Sequence, residues 1–490
     1  MEPILLIHGY GSEDGTTTTR DSVAKIYGDL PRWLRREYGQ RSVFQLDLAR
    51  YISLEDGIGL DDISRAMDRA LQADFSHLLG GTFHVVIHST GALVVRNWIR
   101  RFAPTNQPIR NLVYLAGANF GSGWAHVGQN RIARWGREVF TGGEAGVKVL
   151  QALELGSSET LNLHLHFLEP GQGMVERGVR EFVIIGSQPS PRWFEFPIPY
   201  AKEDGSDGVV RVPGSNLNFS YARYEANETG RKVTSEQMQR DRSGKRLPPS
   251  ADYYTRVRAS IPGVDGREPI PFAIPYNTAH SGNEYGIVSG SKNRDEMQGL
   301  LKQALETVSV VQWRARREVF DATTAATLEK ARGASLGGLF GDLKGWTRQA
   351  QYDAHSQIIV RLFDQDGRPV VDYDIYFGRP GGAEGKRDVA DLIVDTHRNG
   401  KTKNVLTFFL RGTKWDREKR VWRDQLDDID GVVLEIEGNE PQTNDIQYLP
   451  FRLELDKGAL KKWIIPNTTT VVDIEMLRIP AADVFRVFAH

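Results

Sequence analysis

The 490-residue chain contains no cysteine. Disulfides, zinc–thiolate sites and a cysteine nucleophile are therefore excluded. Long apolar runs are missing as well. The stretches 4–7, 85–87 and 112–118 fall far short of the roughly 20 residues a membrane-spanning helix needs, so no transmembrane segment is expected. Neither sign of charge dominates: 62 Lys and Arg face 63 Asp and Glu, and a net charge of -1 provides no attraction to nucleic acid. The first residues lack the basic region and apolar stretch of a signal peptide and enter a strand pattern at Pro3. The expectation is a protein made without a signal or supplied in mature form, with cytoplasm and secretion both left open. What is present, 40% apolar and 26% charged residues, is the composition of a globular protein. The length calls for two domains.

The most informative stretch runs from Phe83 to Ile99. Phe83–Ile87 reads as a buried strand, and a helix-period run with Ala92, Val95 and Ile99 on one face starts at Gly91. Between them a sharp corner carries Ser89. This is the layout of a nucleophile elbow, in which a strand-to-helix turn lifts a serine hydroxyl clear of the sheet and points helix amides at it. The consensus G-x-S-x-G is met at Gly91 but not two residues before the serine, where Ile87 stands.

Other strands fit the same scheme. Ile4–Ile7 runs into His8-Gly9-Tyr10-Gly11, Ser42–Leu46 follows a helical pattern over 23–38, and Ile109–Leu115 runs into Ala116-Gly117-Ala118-Asn119-Phe120-Gly121-Ser122. Pro31 interrupts the first helical pattern. Alternating strands and helices predict a doubly wound, parallel α/β sheet, whose ligands sit at the carboxyl ends of the strands. The HGxG loop, Ser89 and the Ala116–Ser122 tail all fall at those ends.

Together the HGxG loop, the serine elbow and the L-A-G-A-N-F-G-S tail resemble the bacterial lipases and esterases of the α/β-hydrolase fold. The resemblance covers residues 1–125 and two later patches. It implies a helical cap or lid over about 123–170, and a catalytic acid in Ser206-Asp207-Gly208-Val209-Val210, pointing to Asp207, with Glu203 and Asp204 as rivals. It places the base at His280, in the loop after Ile274, and assigns the oxyanion-hole amides to Thr90 and Tyr10. Serine, aspartate and histidine then occur in the chain order that this fold uses. Trp193, Phe194 and Phe196, in a proline-rich stretch before Asp207, are candidates for the acyl pocket.

Beyond residue 350, short alternating runs separated by Asp-Gly, Asn-Gly and Pro predict an all-β sandwich. The expected organisation is a hydrolase domain over 1–320 with a polar insertion at about 215–270, a connector over 321–350 and a β-sandwich over 351–490. His8 is read as shaping its loop, and His88 as pointing away from Ser89. His164 and His166 are read as surface residues, with no metal site. Asp364–Gly367 is read as a hairpin turn rather than a calcium loop, and Lys414–Arg423 as a solvated hairpin. The function expected is hydrolysis of acyl or lipid esters without cofactor, with lipid-interface contact as an analogy. An acyltransferase or phospholipase with the same triad, and a non-catalytic binding protein, are the alternatives.

Overall fold

The computed structural model describes residues 2–7, 27–48, 51–52, 55–104, 107–123, 125, 147–189, 203–240, 247–334, 349–382, 387–441, 443 and 446–480. They form two compact units. The first comprises residues 1–218, 268–353 and 417–421, and the second comprises 219–267, 354–416 and the chain from 422 onward.

The first unit is built on six parallel strands in the order Val43–Leu46, Ile4–Ile7, Phe83–His88, Ile109–Leu115, Arg180–Ile184 and Phe272–Ala273. Chain order reverses between Ile4–Ile7 and Phe83–His88, the topological switch at which such sheets bind ligands. Strands Ile4–Ile7 and Phe83–His88 are buried throughout and apolar apart from His84 and His88, as expected when helices cover both faces. Helix Leu60–Ala73 buries Ile63, Met67, Ala70 and Leu71. It is tied to the elbow helix Gly91–Arg101 by Asn97 Nδ2 donating to Asp61 Oδ1 at 2.8 Å and by Trp98 Nε1 donating to Asp68 Oδ1 at 3.0 Å. The helical pattern expected over 23–38 is broken at the turn residues 28 and 29, just before Pro31. Helix Leu30–Tyr38 carries it in the first turn, where a missing N–H costs no hydrogen bond.

The break expected near residue 320 falls inside helix Val310–Gly333 instead. That helix buries Trp313 and Phe320; the Trp313 indole donates to the Glu181 carbonyl at 2.8 Å, and Phe320 packs on Phe182. Residues 349–353 also belong to this unit. The connector expected over 321–350 is thus a helix anchored to the sheet at one end and a packed segment at the other, with residues 335–348 outside the described set. Part of the cap region is described, as helices Val147–Leu153 and Ser158–His166; residues 124 and 126–146 lie outside.

In the second unit, one sheet orders Ile393–Arg398, Val405–Arg411, His355–Asp364, Thr469–Met476, Ser220–Ala226 and Tyr254–Ser260. The other orders Asp372–Gly378, Gly431–Asn439, Ile446–Tyr448 and Arg478–Pro480, with Phe451–Asp456 paired to Gly431–Asn439. Leu362, Leu410 and Ile474 from the first share one core with Tyr373, Ile436 and Phe451 from the second. The polar insertion is corrected here: two of its segments are strands of this sandwich, not a decoration of the hydrolase domain. Ala222, Tyr224 and Ala226 face the core, while Arg223 is exposed between them. Their alternation is short enough to be hidden by the charged residues around it. Asp364–Gly367 forms the expected turn, with Asp364 Oδ1 accepting from the amides of Asp366 and Arg368. Strands Thr413–Asp416 and Val421–Asp424 form a two-stranded ribbon.

Candidate active site

Ser89 follows directly on strand Phe83–His88 and holds a φ of 54°, a left-handed conformation that a non-glycine residue keeps only where its surroundings enforce it. The enforcing contacts are visible. Its N–H donates to the Leu115 carbonyl at 3.1 Å, and its own carbonyl accepts from Ala92 at 3.1 Å and from Ala118 at 3.4 Å. Ile87, where the consensus has glycine, is fully buried in the sheet between Ile7 and Tyr114. Close approach is required at Gly117 instead, where a Cβ would come within 3.0 Å of the Ala92 Cβ. The Thr90 amide stands at the start of the elbow helix, and among the described residues it has no acceptor.

Asp207 and His280 are brought to this corner by two loops. Asp207 sits in a tight turn closed by its own N–H donating to the Val210 carbonyl at 3.2 Å; its Oδ1 accepts from the amides of Val209 at 2.9 Å and Val210 at 2.7 Å. These bonds aim Oδ2 outward, and His280 Nδ1 lies 2.8 Å from it. The backbone repeats the link, since the His280 amide donates to the Asp207 carbonyl at 3.1 Å. His280 Nε2 stands 3.2 Å from Ser89 Oγ. Asp207 is 0% exposed, His280 1% and Ser89 7%, so the acid and base are sealed and the hydroxyl is the most accessible of the three. The carboxylate accepts the Nδ1 proton, which leaves Nε2 free to take one from the serine.

The Ala116–Ser122 tail fastens the acid loop. Phe120 N–H donates to the Gly214 carbonyl at 2.8 Å, Asn119 Nδ2 to the Ser215 carbonyl at 2.7 Å and Ser122 Oγ to the Val209 carbonyl at 2.6 Å. Of the rival acids, Glu203 is engaged by Arg211 through two bonds of 2.9 and 2.7 Å. Gly186, at the end of strand Arg180–Ile184, lets the base loop approach: a Cβ there would lie 1.9 Å from the Thr278 carbonyl oxygen.

Other expected residues are placed differently or lie beyond view. Tyr10 and the rest of the HGxG loop are outside the described residues, as are Trp193, Phe194 and Phe196. His164 is not at the surface. It is fully buried, its Nε2 bonds the Asn119 carbonyl and its ring packs on Phe120 at 4.8 Å. Burial, reinforced by the charge of Arg96, holds its pKa well below the usual histidine value. His88 does turn away from Ser89, but onto the base: its Nε2 lies 3.1 Å from the His280 carbonyl and the two rings are 4.7 Å apart. The sequence also carries no warning of Tyr352, whose hydroxyl accepts the Asn277 N–H at 2.9 Å in the base loop. No group of three or more His, Asp or Glu placed to hold a metal ion occurs among the described residues.

A serine elbow at the switch point of a parallel sheet, joined to a histidine and a buried aspartate, defines an α/β-hydrolase. Phospholipase PlaB from Legionella pneumophila superposes with a TM-score of 0.78 at 25% identity, over 100% of this chain and 96% of that one. The same phospholipase in complex with thio-NAD gives a TM-score of 0.77 at 24% identity, over 100% and 97%. The mature form of lipase BlEst2 from Bacillus licheniformis covers 44% of this chain and 79% of its own, with a TM-score of 0.33 at 15% identity. No protein-family model and no curated protein sequence matches. The chain has the α/β-hydrolase fold with an added β unit and is similar to lipid- and ester-hydrolysing enzymes of that fold.

Proposed function

We propose that the chain is an ester hydrolase with Ser89, His280 and Asp207 as its catalytic triad. The observation that carries the reading is the unbroken chain Asp207 Oδ2–His280–Ser89 Oγ, with links of 2.8 and 3.2 Å, ending on a serine held at positive φ. Ser89 Oγ attacks the ester carbonyl carbon while His280 Nε2 takes its proton, and Asp207 stabilises the imidazolium that forms. The tetrahedral oxyanion is assigned to the Thr90 amide and, on the sequence pattern alone, to the Tyr10 amide. His280 returns the proton to the departing alkoxide, leaving an acyl group on Ser89. Water then attacks the acyl carbon, gives its proton to His280, and the carboxylic acid leaves as Ser89 is reprotonated.

The substrate proposed is a lipid ester. Phospholipid is the first to test, because the full-length structural neighbour is described as a phospholipase. No described helix is long and apolar enough to cross a membrane, so contact with a lipid surface is proposed as peripheral. A fluorophosphonate probe tests the triad: it is expected to label Ser89, located by peptide mapping, and to abolish p-nitrophenyl butyrate hydrolysis. Labelling at another residue would overturn the assignment. The pocket proposed around Trp193, Phe194 and Phe196 predicts that Trp193→Ala with Phe194→Ala loses more activity on longer acyl chains, each buried methylene being worth about 0.8 kcal/mol. An equal loss at all lengths would contradict it.

A further inference from the structure

The base arrives on a stretch with little regular structure. After strand Phe272–Ala273 the chain runs through turns to His280, and Asn277 holds a φ of 50°. Such a loop has only the single bridge of Ala279 to Gly286 as a ladder, so the placement of His280 depends largely on further bonds. Backbone groups supply some of these: Gln188 N–H donates to the Thr278 carbonyl, and His280 N–H to Asp207. Side chains outside the triad supply others: Glu296 Oε2 accepts the Tyr276 N–H at 3.2 Å, Asn293 Nδ2 donates to Thr278 Oγ1 at 3.0 Å, and two more, His88 and Tyr352, act near either end of the loop.

On the elbow side, His88 Nε2 lies 3.1 Å from the carbonyl oxygen of His280, and the two imidazoles pack 4.7 Å apart at 45°. A carbonyl only accepts, so His88 carries its proton on Nε2 and donates. His88 is also the residue bonded to Ser89. One strand end therefore fixes both partners of the proton transfer. At the start of the loop, the Tyr352 ring stacks on Tyr276 at 5.9 Å and 16°, and its hydroxyl oxygen accepts the Asn277 N–H at 2.9 Å. Without that acceptor, the strained conformation of Asn277 loses a bond that holds it.

Resting on the triad reading, we propose that His88 and Tyr352 are positioning residues that clamp the base loop and set the Ser89–His280 distance. That distance is 3.2 Å, the outer edge of hydrogen-bond reach for a general base. The backbone bonds of Ala279 and His280 hold the main chain, and the contacts of His88 and Tyr352 act on the loop beside them. Displacement of a reacting group by about 1 Å costs on the order of 10²-fold in rate. The clamp acts on proton transfer and not on substrate affinity, so its loss lowers kcat and leaves KM in place.

The test uses the full chain and turnover per fluorophosphonate-titrated Ser89, which removes misfolded protein from the count. Three variants are compared: His88→Phe keeps a ring against His280 without the donor, His88→Gln restores a donor at similar reach, and Tyr352→Phe keeps the stack without the acceptor. Expected are a loss of about 10- to 100-fold in kcat for His88→Phe and about 5- to 10-fold for Tyr352→Phe, with KM within about twofold. His88→Gln is expected to recover most of the loss. Turnover per titrated site within twofold of the parent in both Phe variants would overturn the clamp, as would a failure of His88→Gln to exceed His88→Phe. A parent that hydrolyses esters but is not labelled at Ser89 would sink the triad reading and the clamp with it.

Discussion

Each unit holds a polar constellation around a buried aspartate, and these two are built to opposite ends. In the second unit, Arg361 holds Asp473 through two bonds of 2.6 Å, and Tyr221 OH donates to the same carboxylate at 2.9 Å. The three lie on paired strands, His355–Asp364, Thr469–Met476 and Ser220–Ala226, with Arg361 directly opposite Asp473 and Tyr221 opposite Val471. In the first unit, the Asp207 carboxylate is held as firmly, but the chain of bonds runs on through a ring to a hydroxyl at 3.2 Å. Its members sit on loops, and Ser89, Ala116 and Asn277 around it all hold positive φ. A closed constellation on strands is a structural fastener. An open one, on strained loops at the carboxyl edge of a parallel sheet, keeps a group available for chemistry.

The contrast breaks most visibly at Ser89. Ser89→Ala is expected to lower kcat/KM by about 10⁴-fold or more while the thermal midpoint stays within about 2 °C, since a single hydroxyl is lost at an accessible corner. Activity within tenfold of the parent would refute the triad. Asp207→Asn comes next, with a loss of roughly 10³- to 10⁴-fold from the wrong imidazole tautomer, whereas Asp204→Asn stays within about threefold. The reverse ranking, read from steady-state kinetics, would move the acid turn by three residues.

In the second unit the same kind of change should act on stability. Arg361→Met leaves Asp473 buried without its cation and is expected to cost about 3–5 kcal/mol in chemical denaturation. Adding Asp473→Leu should return most of it, and turnover per titrated Ser89 should not follow either change. The smallest effect concerns Glu2. The His84 ring bonded to it, helped by Thr82, holds its carboxyl down at about 2, against an ordinary 4.5. A carboxyl lowered on folding adds stability that is complete above its unfolded value and is lost as pH falls through about 4.5 toward about 2. Glu2→Gln should therefore flatten the fall in urea midpoint between pH 5 and pH 3, by less than about 1 kcal/mol because Glu2 is partly solvated. An unchanged slope would show that the contact contributes nothing.

The elbow was legible because its signal is local. A buried strand, a corner serine and a helix start occupy seventeen consecutive residues, 83–99. The Ala116–Ser122 tail and the order of serine, aspartate and histidine were legible for the same reason: each is a short run beside a strand. The second unit was legible as a class, from punctuation and alternation, but its membership was not. Strands Ser220–Ala226 and Tyr254–Ser260 lie in sequence between Asp207 and His280, yet pair with Thr469–Met476 and with each other. No local pattern announces a partner some 250 residues away.

Local sequence thus determined which residues make strands, where the serine turns and which side chains are suited to acyl chemistry, because propensity, periodicity and turn chemistry act over a few residues. The sequence pointed to Asp207 but left Glu203 and Asp204 as rivals; the tertiary structure adds that a bidentate arginine engages Glu203 and that backbone amides aim Asp207 at the base. It also turned His88 from a bystander into a contact of His280, and brought Tyr352 onto Asn277 across 75 residues of chain. Those outcomes depend on which surfaces meet when the sheet closes, and side chains distant in sequence carry no mark of that meeting until it happens.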